Sequence, residues 1–586
     1  MSRLYALALV SVLLAGCATL TPAEKGDVAG TPEPAELAEA VPERPFPSDA
    51  LYELLVAEFA LRRQAYDVSL DNYLKEAPLL RDAGVSAHTT HLAQFMQRQD
   101  EALDSARLWV ELDPQNVEAN NTVAGLLAQQ GRTLEALPYL EVVERQTGAA
   151  NFAMLLNGFA QLSESQRTEL VSEIDRLSAQ YPKNARLLLA QALINTEYKQ
   201  YDLALENLDD LLQLEPEHPQ AILLETRILI EQKAKNPYAR VERALEKNPG
   251  DTKLRLQYAR LLTATDMPAA REQFEILSQQ SPQDGDLLFS LALINREIGD
   301  PVAARDYLHK TIALEQNVGE SYYYLGRIAE DDNDYEEAIA NYSQVGEGPE
   351  YLAASSRVGQ LLVDSGKLER NTAWFAQQRE LYPPMREQLY GLEADILSRA
   401  GLLQEAYDLL TQALAETPDS SGLRYARAMI SEQMDDLQAM EKDLRMLIAA
   451  NPDNPTALNA LGYTLADRTQ RYAEAQALVA RALELQPNEP AILDSMGWVM
   501  YRTGRYDEAA SYLGRAYAAF PDPEVAAHLG EVLWVKGDTE SAVRIWRGAL
   551  VRDPAHPVLL ETLQRLGVEI PLAAPATHKS PTPTQP

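Results

Sequence analysis

The chain has 586 residues, 46% of them apolar, and a single cysteine, Cys17, so no internal disulfide can staple the fold. Its 87 acidic and 52 basic side chains leave a formal net charge of −35. That balance argues against nucleic acid and anionic lipid surfaces as partners, because both are recognised by clusters of Lys and Arg. A negative field attracts basic protein patches instead, or serves solubility alone.

At the N-terminal end, Arg3 precedes an apolar run from Leu4 to Leu14 and the small pair Ala15-Gly16. A positive start, a short apolar core and small residues before a cut predict a secretory signal over residues 1–16. The run is shorter than the ~20 residues that a membrane-spanning helix needs. The tetrad Leu14-Ala15-Gly16-Cys17 resembles the lipobox of bacterial lipoproteins. The resemblance implies cleavage before Cys17 and lipid on that residue, and two or more acyl chains anchor stably at ~0.8 kcal/mol per buried methylene. Ala18 stands where an Asp tends to retain such lipoproteins in the inner membrane, which implies the outer membrane, facing the periplasm. The alternative is an ordinary secretory signal with an incidental cysteine. Residues 17–46 carry prolines at 22, 32, 34, 42 and 45 without apolar periodicity. They predict a disordered tether with an average reach of roughly 30 Å.

Beyond the tether, prolines recur with a period. Pro182, Pro216, Pro249 and Pro282 are spaced 34, 33 and 33 residues apart, and Pro349, Pro383, Pro418, Pro452, Pro487, Pro521 and Pro554 continue at 33 to 35. Inside one period, Leu493, Met496, Gly497 and Met500 fall three or four apart and share a helix face. Gly504 suits a left-handed turn. Ala509, Leu513 and Ala516 then line a second helix, which Pro521 ends. Gly497 and Ala509 are small, as a close approach of two helices requires. The pattern returns at Leu458, Gly462, Ala475, Val479 and Ala482, at Gly530, Ala542, Trp546 and Ala549, and at Tyr322, Gly326, Ala338 and Tyr342. In the last copy, Asp334 and Glu337 have capping-box spacing. Other copies are weak: Leu170 replaces the small residue of a second helix, and Pro237 falls where another should be.

The period and these positions resemble the tetratricopeptide repeat, one helix hairpin per repeat. The resemblance implies an all-α fold, a right-handed superhelical solenoid of about a dozen helix hairpins over residues 47–554. Residues 555–570 are predicted to hold a capping helix, and 571–586 a proline-rich disordered tail. In this family the first helix of each pair lines a concave groove. Its groove positions here include Tyr323, Arg327, Tyr463, Asp494, Trp498, Tyr501 and Trp534. Tyr, Trp and Arg dominate binding hot spots, so Tyr463, Trp498, Tyr501 and Trp534 are predicted to form an aromatic strip. The alternative is packing between neighbouring repeats.

No catalytic constellation emerges. The phosphate-binding Gly-Lys-Ser/Thr loop and the Gly-x-Ser-x-Gly elbow are absent. His88 and His91 lack a nearby third metal ligand, and the acidic run from Glu330 lacks the glycine of a calcium loop. Neither an enzyme nor a cofactor is expected. Lipobox, tether and repeats together resemble outer-membrane tetratricopeptide lipoproteins that bind a periplasmic carboxyl-terminal-processing protease. That resemblance implies a non-catalytic adaptor holding the protease and its substrates, cell-wall hydrolases among them. The second reading is a scaffold for exopolysaccharide export or outer-membrane assembly.

Overall fold

The computed structural model describes residues 50–570. The secretory segment, Cys17, the tether to residue 46 and the tail from residue 571 lie outside the described residues. Every described element is helical, with thirty α-helices, three 3-10 turns and no strand among the described residues. The chain is all-α. It divides into two compact units, one ending at Pro237 and one beginning at Tyr238. Within each unit consecutive helices pair as hairpins, and each hairpin packs on the next. No helix among the described residues is long and apolar enough to cross a membrane.

The hairpins follow from local chemistry. Many first helices begin on a side-chain cap: Asn116 accepts from the Ala119 N–H at 3.0 Å, and Asn454 from Ala457 at 3.1 Å. Pro455, Pro490, Pro523 and Pro557 each occupy the first turn of a helix, where no N–H is needed. Second helices end just before the periodic prolines, as Leu437–Ala450 does before Pro452 and Tyr472–Leu485 before Pro487. Between the two helices the chain turns through a left-handed residue, with φ of 78° at Gly504 and 63° at Asn333.

The face predicted for Pro490–Arg502 is the buried one: Leu493, Met496 and Met500 are at most 4% exposed, and Ala509, Leu513 and Ala516 opposite are fully buried. A Cβ at Gly497 would lie 2.5 Å from Leu513 Cγ, so the hairpin closes only around a glycine. Trp546, fully buried, fills the same space against Gly530 in the Pro523–Val535 and Thr539–Arg552 hairpin.

The weak repeats depart from this plan. Between Gly148 and Ser163 two 3-10 turns, Phe152–Leu156 and Phe159–Gln161, take the place of a first helix. The following helix, Glu164–Gln180, buries Leu170 completely among Phe152, Leu155 and Phe159. A leucine fits there because no partner helix approaches closely. Pro237 lies just ahead of a helix of only nine residues, Ala239–Lys247, at the boundary between the units. At Asp334 the carboxylate accepts from the Glu337 N–H at 3.0 Å, and the complete reciprocal box forms instead at Ser163 and Gln166.

Several acidic side chains pair with an arginine one repeat away from their own. Arg305 meets Asp332 at 2.5 Å, Arg296 meets Asp331 at 3.3 Å, Arg471 meets Glu441 at 2.8 Å, and Arg357 pairs with Glu330. The run from Glu330 that resembles a calcium loop in composition is thus a set of struts between hairpins. Exposed pairs of this kind contribute little apiece, but they fix which side chains meet across each step.

Candidate functional site

The predicted groove residues fall in three places of the second unit. On Val318–Asp331, the Tyr323 ring lies 5.6 Å from Tyr324 and 5.7 Å from Tyr342. A hydrogen bond from Arg327 to Tyr323 raises the Arg327 pKa above its ordinary value. Tyr342, buried, donates to Glu330 at 2.9 Å, and Glu330 also holds Arg357. This patch is closed on its own hydrogen bonds.

Trp534 sits apart. Its ring lies 5.8 Å from Trp546 and packs into the cluster that includes Leu559 and Leu563. The hairpin holding it is followed by the single helix Pro557–Leu566. Trp534 therefore seals the hairpin it belongs to and does not extend an aromatic strip.

Tyr463, Asp494, Trp498 and Tyr501 come together, on Pro455–Arg468 and Pro490–Arg502. Trp498, 6% exposed, stacks on His528 at 4.2 Å and donates from Nε1 to Asp467 at 3.0 Å. The Asp494 carboxylate accepts from His528 Nδ1 at 3.0 Å, and both groups are buried. Burial by itself lowers the His528 pKa, but Asp494, with Glu524 and Glu531 on the same helix as the imidazole, outweighs it and raises the value above the ordinary 6.5. Tyr501 donates to Glu531 at 2.8 Å, and Arg565 grips the same carboxylate at 2.9 and 2.6 Å. Burial, then Glu531, pushes the Tyr501 pKa up.

Two clefts open beside this network, with Tyr463 as their shared wall. The smaller, about 420 Å³, is lined by Trp498, Tyr501, His528 and Glu531 with Arg502 and Arg565. The larger, about 820 Å³, runs from Tyr425 and Met429 on Ser421–Gln433, past Asn459 and Asp494, to Phe520 and Glu524. Four consecutive first helices thus contribute to one trough. Aromatic walls with fixed polar groups are suited to gripping a polypeptide, where rigid rings supply area and charged groups set register.

Sequence reasoning missed His528, Glu524 and Asp467. Glu524, His528 and Glu531 fall at i, i+4 and i+7 of one helix, a spacing that marks a single polar face on an otherwise apolar segment. The His88 and His91 pair separates: His88 packs edge-on against Tyr73 at 4.7 Å, and His91 contacts Glu118 at 3.2 Å. Among the described residues no group of three His, Cys, Asp or Glu side chains is placed to hold a metal.

Comparison with known proteins agrees with the hairpin geometry. The tetratricopeptide-repeat family profile matches residues 259–317, 453–522 and 496–557. The chain is 38% identical over 577 residues to the TPR repeat-containing protein PA4667 of Pseudomonas aeruginosa, covering 97% of this chain and 98% of that one. It is 24% identical over 458 residues to the cellulose synthase operon protein C of Pseudomonas fluorescens, covering 73% of this chain and 33% of that protein. Among solved structures, yeast Tom70 aligns over 88% of this chain and 94% of its own at 15% identity and a TM-score of 0.29. The Cut9–Hcn1 hetero-tetramer of the APC/C aligns over 88% and 96% at 16% identity and 0.30. With periodic prolines, glycine-closed hairpins and a full-length relative in agreement, the chain belongs to the tetratricopeptide-repeat family.

Proposed function

We propose that the chain is a non-catalytic adaptor that holds a protein partner in the trough of its C-terminal hairpins, tethered to the outer membrane through lipid on Cys17. The observation that carries this reading is the trough itself. Consecutive first helices present Tyr425 and Tyr463, and the end of the second helix Tyr506–Ala519 adds Phe520, beside carboxylates, over about 820 Å³. On this reading the partner is a periplasmic carboxyl-terminal-processing protease, and the adaptor brings it substrates such as cell-wall hydrolases. A tether raises the effective concentration of whatever is bound at the membrane without any new contact. The protein itself supplies no chemistry to the cleavage.

The full chain with Cys17→Ser, used as bait in a periplasmic extract, should recover the protease. An extract that demonstrably contains the protease and yields none would refute this identification of the partner. A second reading, a scaffold for exopolysaccharide export, is supported by the 24% identity to the cellulose synthase operon protein C. It expects co-purification of a β-barrel and polymer-synthesis proteins in place of a protease.

A further inference from the structure

We infer that the larger cleft takes a cationic segment of the partner protein, one that alternates Lys or Arg with apolar side chains. The inference rests on the adaptor reading and specifies the chemistry that the trough recognises.

Five carboxylates, those of Glu432, Glu489, Asp494, Asp522 and Glu524, line this cleft, and among the described residues no Lys, Arg or His side chain does. Three of the five have a partner within the protein: Asp494 faces His528, Asp522 caps its helix by accepting from the Glu524 N–H at 2.8 Å, and Glu524 accepts from the Tyr463 hydroxyl at 3.4 Å. Among the described residues Glu432, Glu489 and Glu524 make no ion pair, whereas elsewhere in this unit Glu330, Glu441 and Glu531 are each matched to an arginine. Burial, with Asp467 and Glu524 nearby, raises the Glu432 pKa even against the pull of Arg468. Like charges gathered in a recess with no cation lining it cost free energy in the empty protein, and a bound cation relieves that cost.

The apolar lining points the same way. Phe520 stands 60% exposed at the rim, and Tyr425 and Tyr463 flank the floor. Aromatic faces beside carboxylates accept both the charged head and the methylene stem of Lys or Arg. The Asn459 carboxamide oxygen, also in the lining, is buried without a hydrogen-bond partner. An unmatched acceptor there suits the N–H of a peptide laid along the cleft. The same features repel an anionic ligand, whether a phosphate or a chain-terminal carboxylate.

The test is fluorescence anisotropy with the full Cys17→Ser chain and two labelled peptides, one alternating Lys with Trp and the other carrying Gln for every Lys. The Lys peptide should bind more tightly and lose affinity as salt rises. The triple variant Glu432→Gln, Glu489→Gln, Glu524→Gln should weaken it about tenfold, and Phe520→Ala several-fold. A triple variant of equal charge change on Glu164–Gln180 (Glu164→Gln, Glu169→Gln, Glu173→Gln) should leave it unchanged. Equal binding of both peptides overturns the inference, as does equal loss in the two triple variants, which would mean attraction to net charge alone. If the cleft triple variant binds the Lys peptide undiminished while the chain still captures the protease, the cleft inference falls and the adaptor reading stands. If the peptide behaves as expected and no protease is captured, the protease-adaptor reading falls and the cleft inference stands.

Discussion

Gly530→Ala tests how tightly the hairpins close. A Cβ at Gly530 would enter the Trp546 indole, overlapping Nε1 and lying 2.7 Å from Cδ1. Carbon atoms rest ~3.5–4.0 Å apart, so the ring must retreat by about 1 Å. It has nowhere to go: Trp546 is fully buried among Ala542, Ala549 and Leu559, and its Nε1 donates to the Ala527 carbonyl at 3.3 Å. Overpacking of this kind costs ~1–3 kcal/mol, offset by ~1 kcal/mol for replacing a mid-helix glycine with alanine. The net expectation is a loss of up to about 2 kcal/mol. Gly514 on Tyr506–Ala519 is the matched control, because nothing lies within 4 Å of its added Cβ. Gly514→Ala should stabilise by ~0.5–1 kcal/mol. Stacked repeats open locally, so the assay is hydrogen exchange of the Pro523–Val535 and Thr539–Arg552 amides. Adding Trp546→Leu to Gly530→Ala should restore part of the protection lost in the single variant. Amides protected as well in Gly530→Ala as in Gly514→Ala would refute the packing argument.

Three further outcomes are expected. Burial pushes the Glu393 carboxyl from 4.5 up to about 7, against the Arg379 ion pair at 2.6 Å. The folded state therefore holds this proton more tightly than the unfolded chain, and the contribution of Glu393 to stability is full below pH 4.5 and is lost as pH rises through 7. Glu393→Gln should flatten that part of the urea-midpoint profile, and parallel profiles would contradict it. His528 also has a raised folded pKa, so its contact with Asp494 contributes fully below pH 6.5 and weakens as pH rises through the folded value. Exchange of the Pro523–Val535 amides should accelerate over that range in the wild type and not in His528→Gln. Cys17→Ser should move the chain from the membrane to the soluble fraction with an unchanged far-UV circular dichroism spectrum, and a variant that stays with the membrane would remove the lipid anchor from the reading.

The hairpins were legible wherever one residue type is forced by close approach. Gly497, Ala509 and Leu513 announce a helix pair because nothing larger than glycine fits at one of them, and Pro452 and Pro487 mark helix ends because proline lacks an N–H. The stretch from Gly148 to Ser163 was not legible. Its 3-10 turns depend on Phe152, Leu155 and Phe159 finding a shared core with Leu170, a tertiary event with no local period. The site was half legible for a similar reason. Tyr463, Trp498 and Tyr501 stand out by type and phase, but Tyr463 meets Glu524 across 61 residues and Trp498 meets Asp467 across 31. Such partners lie one or two repeats away, where residue type alone does not reveal them.

Glu531 has a side chain only 1% exposed, and the cation that balances it, Arg565, comes from Pro557–Leu566. The last described helix therefore does two jobs. It covers the apolar edge of the preceding hairpin, and it supplies a positive charge to the wall of the smaller cleft. Folding and recognition share a keystone at this end of the unit. Sequence drift in the final helix is constrained by a neighbour one repeat earlier, and a chain trimmed to tidy hairpins would carry a stranded charge in the smaller cleft, next door to the recess where its partner is proposed to sit.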